Sequence, residues 1–303
     1  MTIINAGIAG VQRYAAFTLD PAGGNPAGVV LDAAGLDDAT MQKIAAEVGY
    51  SETVFLRPLS SSEQLELSES DEPQQRAFEA RYFSVLAEVP FCGHATIAGA
   101  VALAERDGTG PLSLATKAGR VLVETSHDLD GNLVATLTSV PTRIAEPGPA
   151  DVAEALAALA WTSDQLDPAL PPRVAYAGAH HLVLAAATRE RLAELDYDFD
   201  RLAELMRTRD WTTLQLVWRE SEHVFHVRNP FPVGGVVEDP ATGAAAAALG
   251  GYLRDLGLVT APAQLRLHQG VDMGRPSLLT VRVPDDGLGV RVTGTAVPIG
   301  IDA

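Results

Sequence analysis

Glu88-Val-Pro-Phe-Cys-Gly-His-Ala-Thr-Ile-Ala-Gly-Ala-Val-Ala-Leu103 has a counterpart in Glu238-Asp-Pro-Ala-Thr-Gly-Ala-Ala-Ala-Ala-Ala-Leu-Gly-Gly-Tyr-Leu253. With the two aligned, Glu88, Pro90, Gly93, Ala95 and Leu103 match Glu238, Pro240, Gly243, Ala245 and Leu253. The offset, 238 − 88 = 150, is close to half of a 303-residue chain, so the sequence reads as two copies of one plan. In each copy a short polar turn with a glycine runs into a small-residue, strongly apolar segment. That pattern predicts a helix buried on all sides, with its first N–H groups left over at the turn. Two such helix ends facing each other would make an anion site. The alternative is two Ala-rich core helices that happen to look alike, and the match across the turn at half the chain length favours a duplication over it.

The flanking sequence repeats the plan. Residues 11–19 alternate as a strand and end at Asp20-Pro21, and Gly23-Gly24-Asn25-Pro26-Ala27-Gly28 forms a turn before the apolar 29–31. Residues 37–48 place Met41, Ile44, Ala45 and Val48 on one helical face and stop at Gly49. Strands follow at 51–56 and 77–85, with a hydrophilic loop or hairpin between them at 60–76. Beyond the first buried helix come strands near 112–116, 120–125 and 132–139, the last two joined at Asp130-Gly131. A second amphipathic helix spans 151–159. It is followed by a strand–Gly–strand unit at 174–184, a charged helical stretch at 189–207 and strands at 213–218 and 223–228. The chain ends, after the second buried helix, with strands near 264–268, 278–283 and 289–295. The fold class is therefore α+β, two similar halves, each a curved, largely antiparallel sheet around a central helix. The expected division is 1–127 with 289–303 for the first half, and 128–288 for the second.

Composition narrows the function. A net charge of −17 and a pI near 4.7 repel phosphate backbones and anionic lipids, so nucleic-acid and membrane-surface binding are disfavoured. A small anionic substrate remains compatible, because backbone N–H groups can make a pocket locally positive. The single cysteine, Cys92, cannot form an internal disulfide and suits a reducing compartment. Met1-Thr-Ile-Ile-Asn-Ala-Gly lacks a signal peptide's basic flank and apolar core, and no apolar run reaches the ~18 residues of a membrane span. The expectation is a cytoplasmic protein.

Few residues are candidates for chemistry. Glu52, in Ser51-Glu-Thr-Val-Phe-Leu, is either a partly desolvated general base or a solvated strand-edge carboxylate. His94, just after Gly93, either relays a proton or serves only as a hydrogen-bonding group at a helix start. Asp239 either caps the second helix or takes part in catalysis. Cys92 is a candidate nucleophile or acid/base, but its repeat counterpart is Thr242 or Pro240, so a two-thiol mechanism is absent. No His-x-x-x-His or Cys-x-x-Cys spacing points to a metal. His180 and His181, adjacent on a strand, point to opposite faces. Neither a nucleotide-binding glycine loop nor a nucleophile elbow is present.

Taken together, Gly24-Asn-Pro-Ala-Gly-Val-Val30, Ser51-Glu-Thr-Val-Phe55, Arg81-Tyr-Phe83 with Glu88-Val-Pro-Phe-Cys-Gly-His-Ala-Thr96, Glu238-Asp-Pro-Ala-Thr-Gly243, and Gln269-Gly270 with Gly274-Arg-Pro276 resemble the PhzF-like family. This is the phenazine-biosynthesis isomerase group, related in fold to diaminopimelate epimerase. The resemblance runs from about residue 10 to the end. It implies a diaminopimelate-epimerase-like fold with the site between two pseudo-symmetric halves, a homodimer, no cofactor and no metal. It also implies that the epimerases' thiol pair is replaced by the glutamate of Ser-Glu-Thr, here Glu52, with His94 and Asp239 lining the site. Asn25, Gly93, Ala95, Thr242, Gly243 and Ala244 are the corresponding substrate-binding positions. One departure stands out: the family's Glu-Asp-Pro-x-Thr-Gly-Ser ends here in Ala244. The functional expectation is a cofactor-independent isomerase moving a proton, with epimerisation as a variant, on a small carboxylated metabolite. The alternatives are a carboxylate-binding protein that has lost turnover and a thiol-dependent racemase using Cys92.

Overall fold

A computed structural model describes residues 10–63, 76–285 and 289–300. Most of the hydrophilic 60–76 segment lies outside the described residues. The chain divides into two compact units, unit 1 comprising 1–137 with 294–303, and unit 2 comprising 138–293.

Unit 1 contains, in order, β1 (Val11–Ala16), β2 (Asn25–Val30), α1 (Asp38–Val48), β3 (Glu52–Pro58), β4 (Arg76–Phe83), β5 (Glu88–Val89), α2 (Gly93–Asp107), β6 (Gly110–Thr116), β7 (Gly119–His127) and β8 (Leu133–Thr138). Neighbouring pairs are antiparallel except β2–β3 and β4–β6, which run parallel. Parallel pairs need a crossover, and here α1 and α2 supply the two. The last strand, β17 (Arg291–Pro298), pairs with β1 and β8 and closes an eight-strand ring. The helix α1 begins where Asp37 Oδ1 accepts the Thr40 N–H at 2.9 Å and ends at Gly49 with φ 75°. Its predicted face, Met41, Ile44, Ala45 and Val48, is buried against Phe55 and Phe83.

The helix α2 is the core of this unit, with every residue from His94 to Ala104 buried. It packs against β1, β2, β3 and β7. Burial of Ile97, Val101 and Leu103, all fully enclosed, contributes about 1.5–3 kcal/mol each. Gly99 lets the helix approach the sheet, because a Cβ there would sit 3.1 Å from Val54 and 3.2 Å from Leu56. The all-round burial expected from the sequence is met by small residues wherever a strand passes close.

Unit 2 runs through β9 (Arg143–Ala145), α3 (Pro149–Ala158), β10 (Arg173–Tyr176), β11 (His180–Ala185), α4 (Arg189–Ala193), α5 (Phe199–Arg209), β12 (Thr213–Arg219), β13 (Val224–Phe231), β14 (Val236–Asp239), α6 (Gly243–Asp255), β15 (Ala263–Gln269) and β16 (Ser277–Val283). Its topology repeats that of unit 1. β11–β12 and β13–β15 are the parallel pairs, and the remaining neighbours are antiparallel, with residues 291–293 extending the sheet beyond β16. The second buried helix, α6, carries Ala245 to Leu253 in the core. No helix among the described residues is long and apolar enough to cross a membrane.

Two local expectations need correction. The charged stretch 189–207 is two helices: Thr188 caps α4, and Asp198 Oδ1 accepts the Arg201 N–H at 3.1 Å to start α5. The break lets Leu195 and Tyr197 reach the apolar cluster around Trp161 and Trp211, which one continuous helix would not allow. The polar turns expected from Glu88 and from Glu238 begin instead in short strands, β5 (Glu88–Val89) laid against β4 and β14 (Val236–Asp239) laid against β13.

His181 is fully buried in unit 2, its Nδ1 2.8 Å from Thr213 Oγ1. Burial disfavours the imidazolium, with His180 adding to the effect, and pushes the ring down to about 3. Between that value and the ordinary value near 6.5, the unfolded chain carries a proton that the folded chain does not. Stability at this site is therefore complete above about pH 6.5 and falls as pH is lowered through that window. Replacing His181 with Gln should flatten the acid limb of the stability–pH curve by about 1.4 kcal/mol per pH unit, read from urea midpoints. An unchanged slope would mean that the ring is not held neutral.

Candidate active site

The residues with chemical potential in unit 1 converge at the start of α2. β2 and β3 run parallel with Ala27 beside Glu52, and the crossover through α1 delivers Glu52 to the first position of β3. The chain then leaves β5 and enters α2 through Cys92, which has extended backbone and supplies no side-chain cap. This brings three functional groups together. The Cys92 thiol donates to Glu52 Oε2 at 3.5 Å, His94 Nε2 lies 3.5 Å from the same oxygen, and Cys92 Sγ lies 3.3 Å from His94 Nδ1. Ser51 Oγ is 3.4 Å from His94 Nε2. The Glu52 side chain is 16% exposed and that of His94 6%, so the carboxylate is accessible at one edge while the imidazole is enclosed.

Behind this group the first turn of α2 is locked from below. Thr96 Oγ1 donates to the Cys92 carbonyl at 2.7 Å and meets Tyr82 Oη at 2.7 Å. Tyr82 is fully enclosed, and burial holds its hydroxyl in the protonated form. Thr96 N–H returns to Cys92 O, whereas the N–H groups of Gly93, His94 and Ala95 have no such acceptor among the described residues. The helix end thus presents three donors and the positive end of its dipole next to the Glu52 carboxylate. Asn25 starts β2 two residues before Ala27 and is buried opposite Ala16.

Unit 2 repeats the scaffold with different chemistry. Asp239 ends β14, and its Oδ2 accepts the Thr242 hydroxyl at 2.5 Å. Gln269 ties the turn together: its Oε1 accepts Thr242 N–H at 3.0 Å, while its Nε2 reaches Asp239 O at 2.8 Å and Thr242 Oγ1 at 3.0 Å. Gly243, Ala244 and Ala245 open α6, with Ala246 N–H bonded back to Thr242 O. Ala244 offers no side-chain donor at a partly exposed position. Asp239, Thr242, Gly243 and Ala244 therefore form one group in unit 2, and Glu52, Gly93, His94 and Ala95 another in unit 1.

Sequence reasoning missed three supports. Ser51 was visible beside Glu52 but carried no distinguishing signal. Gln269 was quoted only as part of a motif; its cue was the adjacent Gly270, which has φ 72°. A Cβ on Gly270 would stand 2.2 Å from Arg275 O and 2.8 Å from Pro240 O. Gly270→Ala should cost at least about 1–3 kcal/mol in chemical denaturation, because both the conformation and the space exclude a side chain. A neutral result would remove the backbone argument for how Gln269 is held.

The third is a pair of matched arginine clamps. Arg81 stands two residues before Phe83, the cross-strand partner of Glu88, and grips that carboxylate through Nε at 2.8 Å and Nη2 at 2.7 Å. Arg228 stands two residues before Pro230, the partner of Glu238, and does the same at 3.0 and 2.5 Å. The Arg81 guanidinium holds Glu88 below the usual carboxylate range. The two glutamates that opened the repeat thus anchor the helix entries.

Known proteins match this chain along almost its whole length. The profile of the phenazine biosynthesis-like proteins (PhzC-PhzF) matches residues 14–300. A Bacillus subtilis protein named as an uncharacterized isomerase, YfhB, is 31% identical, covering 95% of each chain. The trans-2,3-dihydro-3-hydroxyanthranilate isomerase of Pseudomonas chlororaphis is 31% identical over 94% of this chain and 95% of its own. The crystal structure of a Bacillus anthracis phenazine biosynthesis protein of the PhzF family superposes with a TM-score of 0.81 at 25% identity, over 96% of each chain. Repeated topology, a buried helix at the centre of each unit and matches over the full length agree: the chain is a member of the phenazine biosynthesis-like PhzF family, on the diaminopimelate-epimerase-like fold.

Proposed function

We propose that this protein is a cofactor-independent isomerase that moves a proton within a small carboxylated metabolite. The observation that carries the reading is the Glu52 carboxylate, part-buried and accessible at one edge, in contact with Cys92 and His94 at a helix end. Glu52 takes a proton from an acidified C–H and returns it to another carbon on the same face, or to the same carbon. His94 holds or polarises the substrate. The N–H groups of Gly93, His94 and Ala95 at the start of α2 favour a substrate carboxylate. In unit 2, Asp239 and the opening turn of α6 serve substrate binding, with backbone donors at 243–245 taking over where Ala244 has no hydroxyl.

Supporting the reading are relatives named as isomerases, one of them acting on trans-2,3-dihydro-3-hydroxyanthranilate. A single base suits a shift of a double bond better than inversion, which calls for an acid on each face. The substrate class is a small molecule with a carboxylate next to an activated C–H, and the functional unit is a homodimer in the cytoplasm.

The test is turnover of trans-2,3-dihydro-3-hydroxyanthranilate and of a panel of small unsaturated carboxylates, followed by NMR. Rearrangement of at least one, without added cofactor, is the expected outcome. Ala244 favours a second reading, a carboxylate-binding protein without turnover. Ligands that raise the melting temperature yet remain unchanged on prolonged incubation would establish that reading and overturn the first.

A further inference from the structure

We infer that Cys92, His94 and Glu52 form a three-ligand site for a soft divalent cation, zinc above all, and that zinc bound there blocks Glu52 reversibly. The three residues offer one donor of each common zinc-ligand type: a thiolate, an imidazole and a carboxylate. Cys92 Sγ and Glu52 Oε2 are 3.5 Å apart, Glu52 Oε2 and His94 Nε2 3.5 Å, and Cys92 Sγ and His94 Nε2 3.8 Å. Ligands bonded to one tetrahedral zinc at ~2.0–2.3 Å are separated by about 3.3–3.6 Å, so the triangle is within a few tenths of an ångström of a ligating face. The centre of a triangle with those sides lies about 2.1 Å from each corner, inside the range of zinc–ligand bonds.

The arrangement is distinctive within the molecule. Among the described residues no other three His, Cys, Asp or Glu side chains bring ligand atoms within 4.8 Å of one another. The donors are also held in place before any ion arrives. His94 is enclosed, Cys92 is buried in the N-cap position, and the Thr96 and Tyr82 hydroxyls fix the turn between them. This matters because a site that is already assembled loses less freedom on binding. No metal motif marks these residues, because the ligands come from β3 and the α2 entry, 40 residues apart, instead of from one short run.

Binding is a ligand exchange with no redox change. The thiol proton leaves to solvent, and Zn2+ is neutralised by one thiolate and one carboxylate, with imidazole as the third ligand. Glu52 then holds its lone pair on the metal and cannot accept a proton. Three protein ligands leave a fourth position for water or an anion. Binding itself does not depend on the isomerase reading; only the inhibition does, so the two can fail separately.

The experiment titrates Co2+ into the metal-stripped full-length protein and records the absorption spectrum, with Zn2+ as competitor. Because Cys92 is the single cysteine, a thiolate-to-cobalt charge-transfer band can arise only there. The expected result is a 1:1 band with intense tetrahedral d–d transitions, displaced by Zn2+ and abolished in Cys92→Ala. In Glu52→Gln, which changes one donor and little volume, the d–d bands should weaken and the cobalt affinity should fall by at least about tenfold. Where turnover has been established, zinc should suppress it and EDTA should restore it. No charge-transfer band at saturating cobalt would overturn the inference. So would a band unaltered in intensity and affinity by Glu52→Gln, since a cysteine–histidine pair would then account for it.

Discussion

Glu52→Gln should lower turnover by about 10²–10⁴-fold while leaving the melting temperature almost unchanged. The loss is large because the amide cannot take a proton from carbon, and the proposal gives that step to no other group. The fold should persist because Glu52 is at the start of β3 with an accessible carboxylate, and no arginine or lysine depends on it among the described residues. Its neighbours there are Cys92 and His94, and an amide can meet both. Steady-state kinetics beside a thermal melt separates the two quantities. A variant that unfolds would assign Glu52 to structure, and a variant with full kcat would take the base role from it.

The largest effect on stability should come from Arg228. Its guanidinium is 9% exposed and the Glu238 side chain 3%, and Arg228 also donates to the Ala193 carbonyl at 2.6 Å. Removing one member of such a pair leaves the other charge buried without compensation, at a cost of about 3–5 kcal/mol. Arg228→Met should lose that much in urea denaturation, whereas Arg228→Met combined with Glu238→Leu should recover a substantial part. The unit 1 counterpart makes an internal control. Arg81 and Glu88 are 19% and 11% exposed, Lys117 also binds Glu88, and Asp38 binds Arg81 at 2.7 Å. Water and these extra partners should soften Arg81→Met to less than half the Arg228 effect. Equal losses would show that burial does not set the cost.

The fold was legible because its two buried helices repeat across a turn. Small residues at 93–104 and 243–253 are what a helix needs when strands pass it on all sides, and Gly99 against Val54 and Leu56 shows the packing that selects them. The paired parallel crossovers were not legible. β2 beside β3 and β4 beside β6 join strands distant in sequence, and alternation within a strand says nothing about its neighbour's direction.

The site was partly legible. Glu52, His94 and Asp239 stood out by residue type next to apolar segments, but Glu52 belongs to neither copy of the repeat, so its proximity to Cys92 appears only in the sheet. The strand register also shows how the symmetry is broken. Phe83, opposite Glu88, stands opposite Thr53, one residue after Glu52. Continuing the β12–β13 register by two residues sets Leu214 opposite Pro230, the partner of Glu238, so Thr213 takes the place of Glu52. Unit 2 thus has a buried hydroxyl bound to His181 where unit 1 has a part-buried carboxylate. The duplicated scaffold carries a glutamate at this strand position in one unit and a threonine in the other.

Whether Glu52 carries the proton is read out by solvent deuterium incorporation. A turned-over carboxylate is incubated in D2O with wild type and with Glu52→Gln, and deuterium at the reacting carbon is followed by NMR and mass spectrometry. Wild type should introduce deuterium at that carbon, and Glu52→Gln should reduce the rate to near the uncatalysed background. Exchange that continues in Glu52→Gln at the wild-type rate would take proton transfer away from Glu52.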